Sequence, residues 1–307
     1  MNSPLVSIIM PAYNAERFIN ESIDSVLNQT YLNWELIVID DESTDTTAAL
    51  VETKIALDNR IKYFWKRNAG AGIARNFGIA RSRGSLIAFL DADDLWLDSK
   101  LAISVAELAS ENIDLIFSDS FIFRNELVEP LTEKMGVISG YYAGKEGILS
   151  FLIQNRIPIL TAVLKKEAFL KTPGFTSVQI TADYDLWLQL LDAGCSFKAI
   201  DQPLSAYRIH DESLTKDDRR VLYDTILVIK EFLYAHPEYT ESVDRSLLQK
   251  IKYWLYDSTD ASTSRLRILI DRLRPTNRYI LPYLLSYFLP FKLIRKLINN
   301  TILKNVY

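Results

Sequence analysis

The chain of 307 residues has little of what builds several common kinds of site. Its one cysteine, Cys195, excludes an intrachain disulfide and a cysteine metal cluster. Two histidines leave little room for a histidine-rich metal site, so a metal here would be held chiefly by carboxylates. Ten glycines and ten prolines exclude collagen-like and low-complexity classes. No G-x-G-x-x-G and no Walker motif follows the first apolar segment, which argues against a dinucleotide-dependent oxidoreductase and a P-loop nucleotidase. The uncharged stretch Tyr279–Phe291 has thirteen residues and is interrupted by Pro282 and Pro290, whereas a spanning helix needs about twenty. Leu5–Met10 is short and has no positive residues before it. It therefore reads as a buried strand rather than an export signal, and a cytosolic location is expected.

What is present is globular. Hydrophobic residues make up 49% and charged residues 24%, enough for a sizeable core. The net charge of −4 taken alone argues against a nucleic-acid partner. That total hides an asymmetry. Residues 261–307 hold nine Lys/Arg and one acid, Asp271, a net of +8, which leaves −12 for residues 1–260. An acidic body and a basic tail suggest two jobs.

The first 120 residues alternate short apolar runs with helical patterns. Strands are expected at Val6–Met10, Leu36–Ile39, Ile61–Trp65, Leu86–Leu90 and Ile113–Ser118. Helices are expected from Asn14, as a cap, to about Asn28, from Ser43 or Thr44 to about Leu57, and over Ala71–Ser82. Near-continuous apolar strands separated by helices predict a doubly wound α/β domain with a mostly parallel sheet. Further on, Lys145–Gln154 and Thr181–Ala193 read as helices, and Leu160–Leu164 and Phe197–Ile200 as strands. From Asp217 the chain reads as a helical extension, with segments near 218–235, 240–257 and 262–273. The division expected is residues 1–215 and 216–307.

Ligands of such sheets bind beyond the carboxyl ends of the strands, so the residues after each strand carry the chemistry. Pro11-Ala12-Tyr13-Asn14 follows the first strand, Asp40-Asp41-Glu42-Ser43-Thr44-Asp45 the second, and Lys66-Arg67-Asn68-Ala69-Gly70 the third. Asp91-Ala92-Asp93-Asp94 follows the fourth. Three carboxylates directly after a buried strand repel one another, and a divalent cation relieves that cost. Hard oxygen ligands suit Mn²⁺ or Mg²⁺, which share their shell with phosphate oxygens. The plainer reading is a turn with a helix cap. It covers Ser43, Thr44 and Asp45, but not two acids directly at a strand end.

Taken in order, Val6–Asn14, Trp34–Asp45, Asn68–Gly78 and Phe89–Asp94 resemble family 2 glycosyltransferases of the GT-A fold. The resemblance covers about residues 4–215. It implies that Pro11 and Tyr13 form the uridine platform, that Asp41 meets the base edge and that Arg75 lies near the nucleotide. It places Asp91 on the ribose and Asp93 on a metal at the donor diphosphate. Asp94 stands behind that ligand or contacts the donor sugar. Thr181-Ala182-Asp183-Tyr184-Asp185-Leu186-Trp187-Leu188 resembles the family's Glu-Asp-Tyr-Asp-Leu-Trp-Leu segment. The general-base role then falls on Asp183, with Asp185 as fallback and Ala182 where the family often has Glu. Tyr207-Arg208-Ile209-His210 resembles its Tyr-Arg-x-His stretch, so His210 would complete the metal shell or contact the diphosphate.

The implied activity is inverting transfer of one sugar from a UDP-sugar (UDP-glucose, UDP-galactose or an N-acetylhexosamine donor) with Mn²⁺ or Mg²⁺. Single transfer is expected because the Gln-x-x-Arg-Trp motif of the processive members is missing. In bacteria, relatives of this size build O-antigen or capsule units, so the implied acceptor is a saccharide on undecaprenyl diphosphate. The alternatives are a sugar nucleotidyltransferase, opposed by the missing glycine loop, and an inactive carbohydrate-binding protein of the same fold. The tail places Lys292, Arg295 and Lys296 beside apolar residues, with Arg265–Arg278 upstream. This pattern fits an interfacial element on anionic lipid, and hence a peripheral position on the inner face of the cell membrane. A helix packed on the body or on a second copy fits it too, so assembly into an oligomer is left open.

Overall fold

The computed structural model describes residues 3–176, 180–213, 218–243, 246 and 250. The chain divides into two units, residues 1–148 with 156–213, and residues 149–155 with 214–307.

The described residues form one nine-stranded sheet. Its strands are β1 Val6–Ala12, β2 Trp34–Asp40, β3 Ile61–Trp65, β4 Leu86–Phe89, β5 Leu95–Trp96, β6 Leu115–Arg124, β7 Gly140–Tyr142, β8 Val163–Lys165 and β9 Phe197–Ile209. The helices are α1 Ile19–Leu27, α2 Thr47–Leu57, α3 Ala71–Ile79, α4 Lys100–Ser110, α5 Gly144–Ile153, α6 Lys166–Phe169, α7 Ala182–Asp192 and α8 Asp218–Ala235. The strand order is β3-β2-β1-β4-β8-β6-β9-β5, with β7 paired to β9.

Every residue of β1, β2 and β4 is buried, as a sheet covered on both faces requires. Helix α1 buries Ile19, Ile23 and Val26, the i, i+4, i+7 stripe of an amphipathic helix. These residues join Val6, Ile8, Met10, Leu36 and Val38 in one core. Strands β3, β2, β1 and β4 run parallel, with Ala12 level with Asp40 and Ile9 level with Phe89. The carboxyl ends of β1, β2 and β4 therefore open on one edge. In the second unit, α8 buries Ile226, Val228, Ile229 and Leu233.

The structure corrects several local expectations. Strand β8 runs antiparallel to both β4 and β6, because a 3₁₀ turn at Ile159–Thr161 sends the chain back between them. An apolar run carries no direction, so its sense was not legible. Strand β9 continues to Ile209 through a register shift against β6, well past Ile200. Strand β6 likewise runs to Arg124, and α4 was not expected at all. Asn14 caps no helix, since α1 begins at Ile19 with Phe18 at its cap position. Instead Asn14 adopts a left-handed backbone, φ 49°, and joins two loops. Its N–H donates to Ser43 Oγ at 2.9 Å, and its Oδ1 accepts from Thr44 N at 2.8 Å. The helical segments expected beyond residue 250, and the basic tail, lie outside the described residues.

Candidate active site

The two acids at the end of β2, Asp40 within it and Asp41 after it, are both buried and both committed. Asp40 accepts from Ser43 N at 2.7 Å and from Tyr63 Oη at 2.6 Å. Asp41 pairs with Lys66 and accepts from Ala69 N at 3.1 Å and Gly70 N at 2.8 Å. One carboxylate thus gathers the loop after β3 against the end of β2. Glu42 continues this, its Oε2 accepting from Asn68 N at 3.1 Å. Beside them, Pro11 is buried at the end of β1, and Tyr13 is 56% exposed, an aromatic face open to a stacking partner.

The turn after β4 carries three acids in three settings. Asp91 forms an ion pair with Arg75 at 2.5 Å, with about a third of its side chain exposed. Asp93 is similarly exposed, and its Oδ2 lies 2.9 Å from His210 Nε2. Asp94 is buried and accepts from the Arg208 N–H at 2.8 Å. Burial, then the neighbouring charges of Asp93 and Asp91, hold its carboxyl well above the usual carboxylate range. The His210 ring packs on Phe18, the cap residue of α1, with centroids 4.8 Å apart. The segment directly after β9 and the turn after β4 therefore meet at the Asp93–His210 pair.

Helix α3 brings the remaining pieces to the same edge. Its Arg75 reaches Asp91, while its Asn76 makes a two-way bond with Phe175, donating to the carbonyl at 2.7 Å and accepting from the N–H at 3.0 Å. The Phe175 ring meets Phe89 of β4 edge-on at 5.4 Å. Gly72 lets α3 come close here, for a Cβ would stand 3.3 Å from the Ala182 Cβ and from Thr176 O. Ala182 opens α7, so Asp183, in its first turn, stands beside this contact. Asp185 is tied back by Thr176 Oγ1 at 2.7 Å and Gln189 Nε2 at 2.9 Å.

Asp93 and His210 set a carboxylate oxygen and an imidazole nitrogen side by side. Among the described residues no group of three or more His, Cys, Asp or Glu is arranged to hold an ion alone. Such a pair fits a cation that takes its other ligands from a substrate diphosphate and water, as Mg²⁺ and Mn²⁺ do. Among the described residues no helix is long and apolar enough to cross a membrane.

Several residues of the site carried little sequence signal. Phe175 meets its partner Asn76 across 99 residues of chain. Arg208 sat in a quoted motif, yet nothing in its neighbours marked its side chain for burial.

A doubly wound sheet with acids gathered at the carboxyl edge is the arrangement of GT-A glycosyltransferases. The chain belongs to glycosyl transferase family 2, whose model matches residues 7–163. It is 35% identical over 236 residues to Escherichia coli WfgD, named a UDP-Glc:alpha-D-GlcNAc-diphosphoundecaprenol beta-1,3-glucosyltransferase. That match covers 76% of this chain and 88% of WfgD. It is 49% identical over 196 residues to an uncharacterized glycosyltransferase of Haemophilus influenzae, covering 62% of this chain and 73% of that one. Among solved structures it is similar to Staphylococcus aureus TarS 1-349 in complex with UDP-GlcNAc, with TM-score 0.67 and 16% identity. That match covers 98% of this chain and 88% of the TarS chain. At that identity the likeness shows the fold.

Proposed function

We propose that this glycosyltransferase moves one sugar from a UDP-sugar to a hydroxyl of a lipid-linked saccharide, with inversion to a β-glycoside. The observation that carries the donor site is the Asp93–His210 pair, 2.9 Å apart, beside the Asp91–Arg75 ion pair. The activity that WfgD is named for supports UDP-glucose as the first donor to try and a GlcNAc-diphosphoundecaprenol acceptor.

In this reading Tyr13 stacks on the uracil and Pro11 backs it. Asp41 holds the base-side loop, and Asp91, with Arg75, meets the ribose and the nucleotide. Asp93 and His210 would hold a divalent cation, Mn²⁺ or Mg²⁺, which when bound neutralises charge on the diphosphate. Asp94 backs the turn that carries Asp93. Asp183 accepts the proton of the acceptor hydroxyl as that oxygen bonds to the anomeric carbon. The bond from that carbon to the diphosphate oxygen breaks, and UDP leaves with the electron pair. A general base of this kind is worth roughly 10²–10⁴ in rate. The basic tail, residues 261–307, would meet the anionic face of the membrane that carries the acceptor.

Asp183→Asn tests the reading. Turnover, followed as UDP release with acceptor present, should fall by roughly 10²–10⁴ while calorimetric binding of the UDP-sugar persists. A variant with unchanged kcat would remove Asp183 from the base role. A wild type that releases UDP from no UDP-sugar would remove the donor class.

A further inference from the structure

Arg208 is 1% exposed, and no role given above uses its side chain. A buried guanidinium is costly unless its donors are met. Here they are met from several directions. Its Nε donates to the Asp93 carbonyl at 2.7 Å. Its Nη1 donates to the Asn125 carbonyl, and its Nη2 to Glu21 Oε2 at 2.6 Å. Its backbone N–H donates to the Asp94 carboxylate. The rings of Phe18 and Phe123 lie 4.3 and 4.6 Å from its Cζ. Helix α1, the end of β6 and the turn after β4 thus meet on one planar group.

Two of these contacts fall on consecutive residues of the turn, the carbonyl of Asp93 and the carboxylate of Asp94. They hold the peptide that joins the two through its carbonyl, and the Asp94 side chain beyond it. Two residues further along the chain, directly after β9, His210 meets the Asp93 side chain. The end of β9 and the residue after it therefore hold the Asp93 backbone and its carboxylate separately.

We propose that Arg208 is the positioning residue of the acidic turn. It sets the direction of the Asp93 carboxylate so that Asp93 and His210 present their ligand atoms to one donor-bound cation. The inference rests on the reading of Asp93 and His210 as that cation's ligands. Arg208 itself touches no substrate. Lysine cannot replace it, because an ammonium lacks the planar fork that reaches Asp93, Asn125 and Glu21 together.

The test is calorimetric UDP binding at stepped Mn²⁺ concentrations, with turnover alongside, for the full chain and its R208K and E21Q variants. Partners that orient metal ligands cost about 10-fold or more in metal affinity when lost. R208K should raise the Mn²⁺ half-saturation of UDP binding by about that factor, with UDP affinity at saturating Mn²⁺ unchanged and turnover restored by excess Mn²⁺. E21Q, at a half-exposed partner, should raise it about threefold in an intact fold. An R208K titration equal to the wild type's overturns the proposal, as does a binding loss that no Mn²⁺ concentration restores. Should R208K not fold, an E21Q half-saturation equal to the wild type's overturns it. A wild type that binds UDP without metal dependence overturns the cation reading itself, and this inference with it.

Discussion

The two ends of the β1–β4 strands treat buried carboxylates in opposite ways. At the amino ends stands Glu35, 1% exposed, among groups that all favour its charge. Its Oε1 accepts from Ser7 Oγ at 2.7 Å and Arg83 N at 2.6 Å, and its Oε2 from Lys62 Nζ at 2.6 Å and Arg83 Nε at 3.0 Å. Burial pushes this carboxyl up, but Lys62, the Arg83 amide, Ser7 and the Arg83 guanidinium outweigh it and hold the pKa at about 2. Gly84 belongs to the same knot, since a Cβ there would stand 2.5 Å from Leu5 O and 2.7 Å from Ser7 N. At the carboxyl ends, Asp91, Asp93 and Asp94 crowd one turn, and the buried one is held up rather than down. A carboxylate matched on every side stabilises the fold. Acids crowded in one turn keep a capacity for a ligand, which is the usual mark of a working site.

The sharpest way to break this contrast is Glu35→Gln. The amide keeps the shape and loses the charge that Lys62 and Arg83 meet. A carboxyl held at about 2 instead of 4.5 contributes on the order of 3 kcal/mol at neutral pH. Most of that should vanish, read as a lower urea midpoint at pH 7. The sign follows from proton uptake. Between pH 2 and 4.5 the unfolded chain binds more protons than the folded one, so wild-type stability falls as pH drops through that window. The variant should lose that part of the slope. An unchanged midpoint at pH 7 would mean that the amino-end knot contributes nothing through charge.

Asp94→Asn tests the other end and should move the opposite way. Asparagine keeps an oxygen for the Arg208 N–H and removes a charge from the company of Asp91 and Asp93. Burial and like charges disfavour this carboxylate, so a neutral replacement is neutral or stabilising, and stability at pH 8, read from the melting midpoint, should hold or rise by about 1 kcal/mol at most. A clear loss of stability would show that the turn depends on that charge, and the contrast between the two ends would weaken.

Much of the carboxyl end was legible in the chain, and almost none of the amino end. Acids placed directly after apolar strands announce a site, because sheet topology alone brings such positions to one edge. Asp41, Asp91 and Asp93 are expected at that edge for this reason, and the parallel register of β1, β2 and β4 brings them there. Glu35 and Arg83, in contrast, are separated by 48 residues and sit in no motif. Their meeting depends on the crossover that lays β4 beside β1. The same limit hid the length of β9, where the register shift past Ser118 is invisible in an apolar pattern. It also hid the work of Asn14, whose side chain serves a loop about 30 residues away rather than its own helix. Period and propensity read local structure; partners of high sequence separation need the fold.

Arg83→Ala is the finest probe, because it separates the two things Arg83 gives to Glu35. Its backbone N–H, at 2.6 Å, stays in the variant, while its guanidinium at 3.0 Å is removed. That side chain is 67% exposed, so water screens its charge, whereas Lys62 is 30% exposed and closer to Oε2. Exposed ion pairs are worth about 0–1 kcal/mol, and the expected loss is about 0.5 kcal/mol, fading as salt is raised. Lys62→Met, which removes the better-buried cation from the same oxygen, should cost more and respond less to salt. If Arg83→Ala proved the costlier of the two, the order of the cations around Glu35 would be reversed. The amino end would then be held by a surface charge, and its contrast with the part-exposed acids Asp91 and Asp93 would be one of number rather than burial.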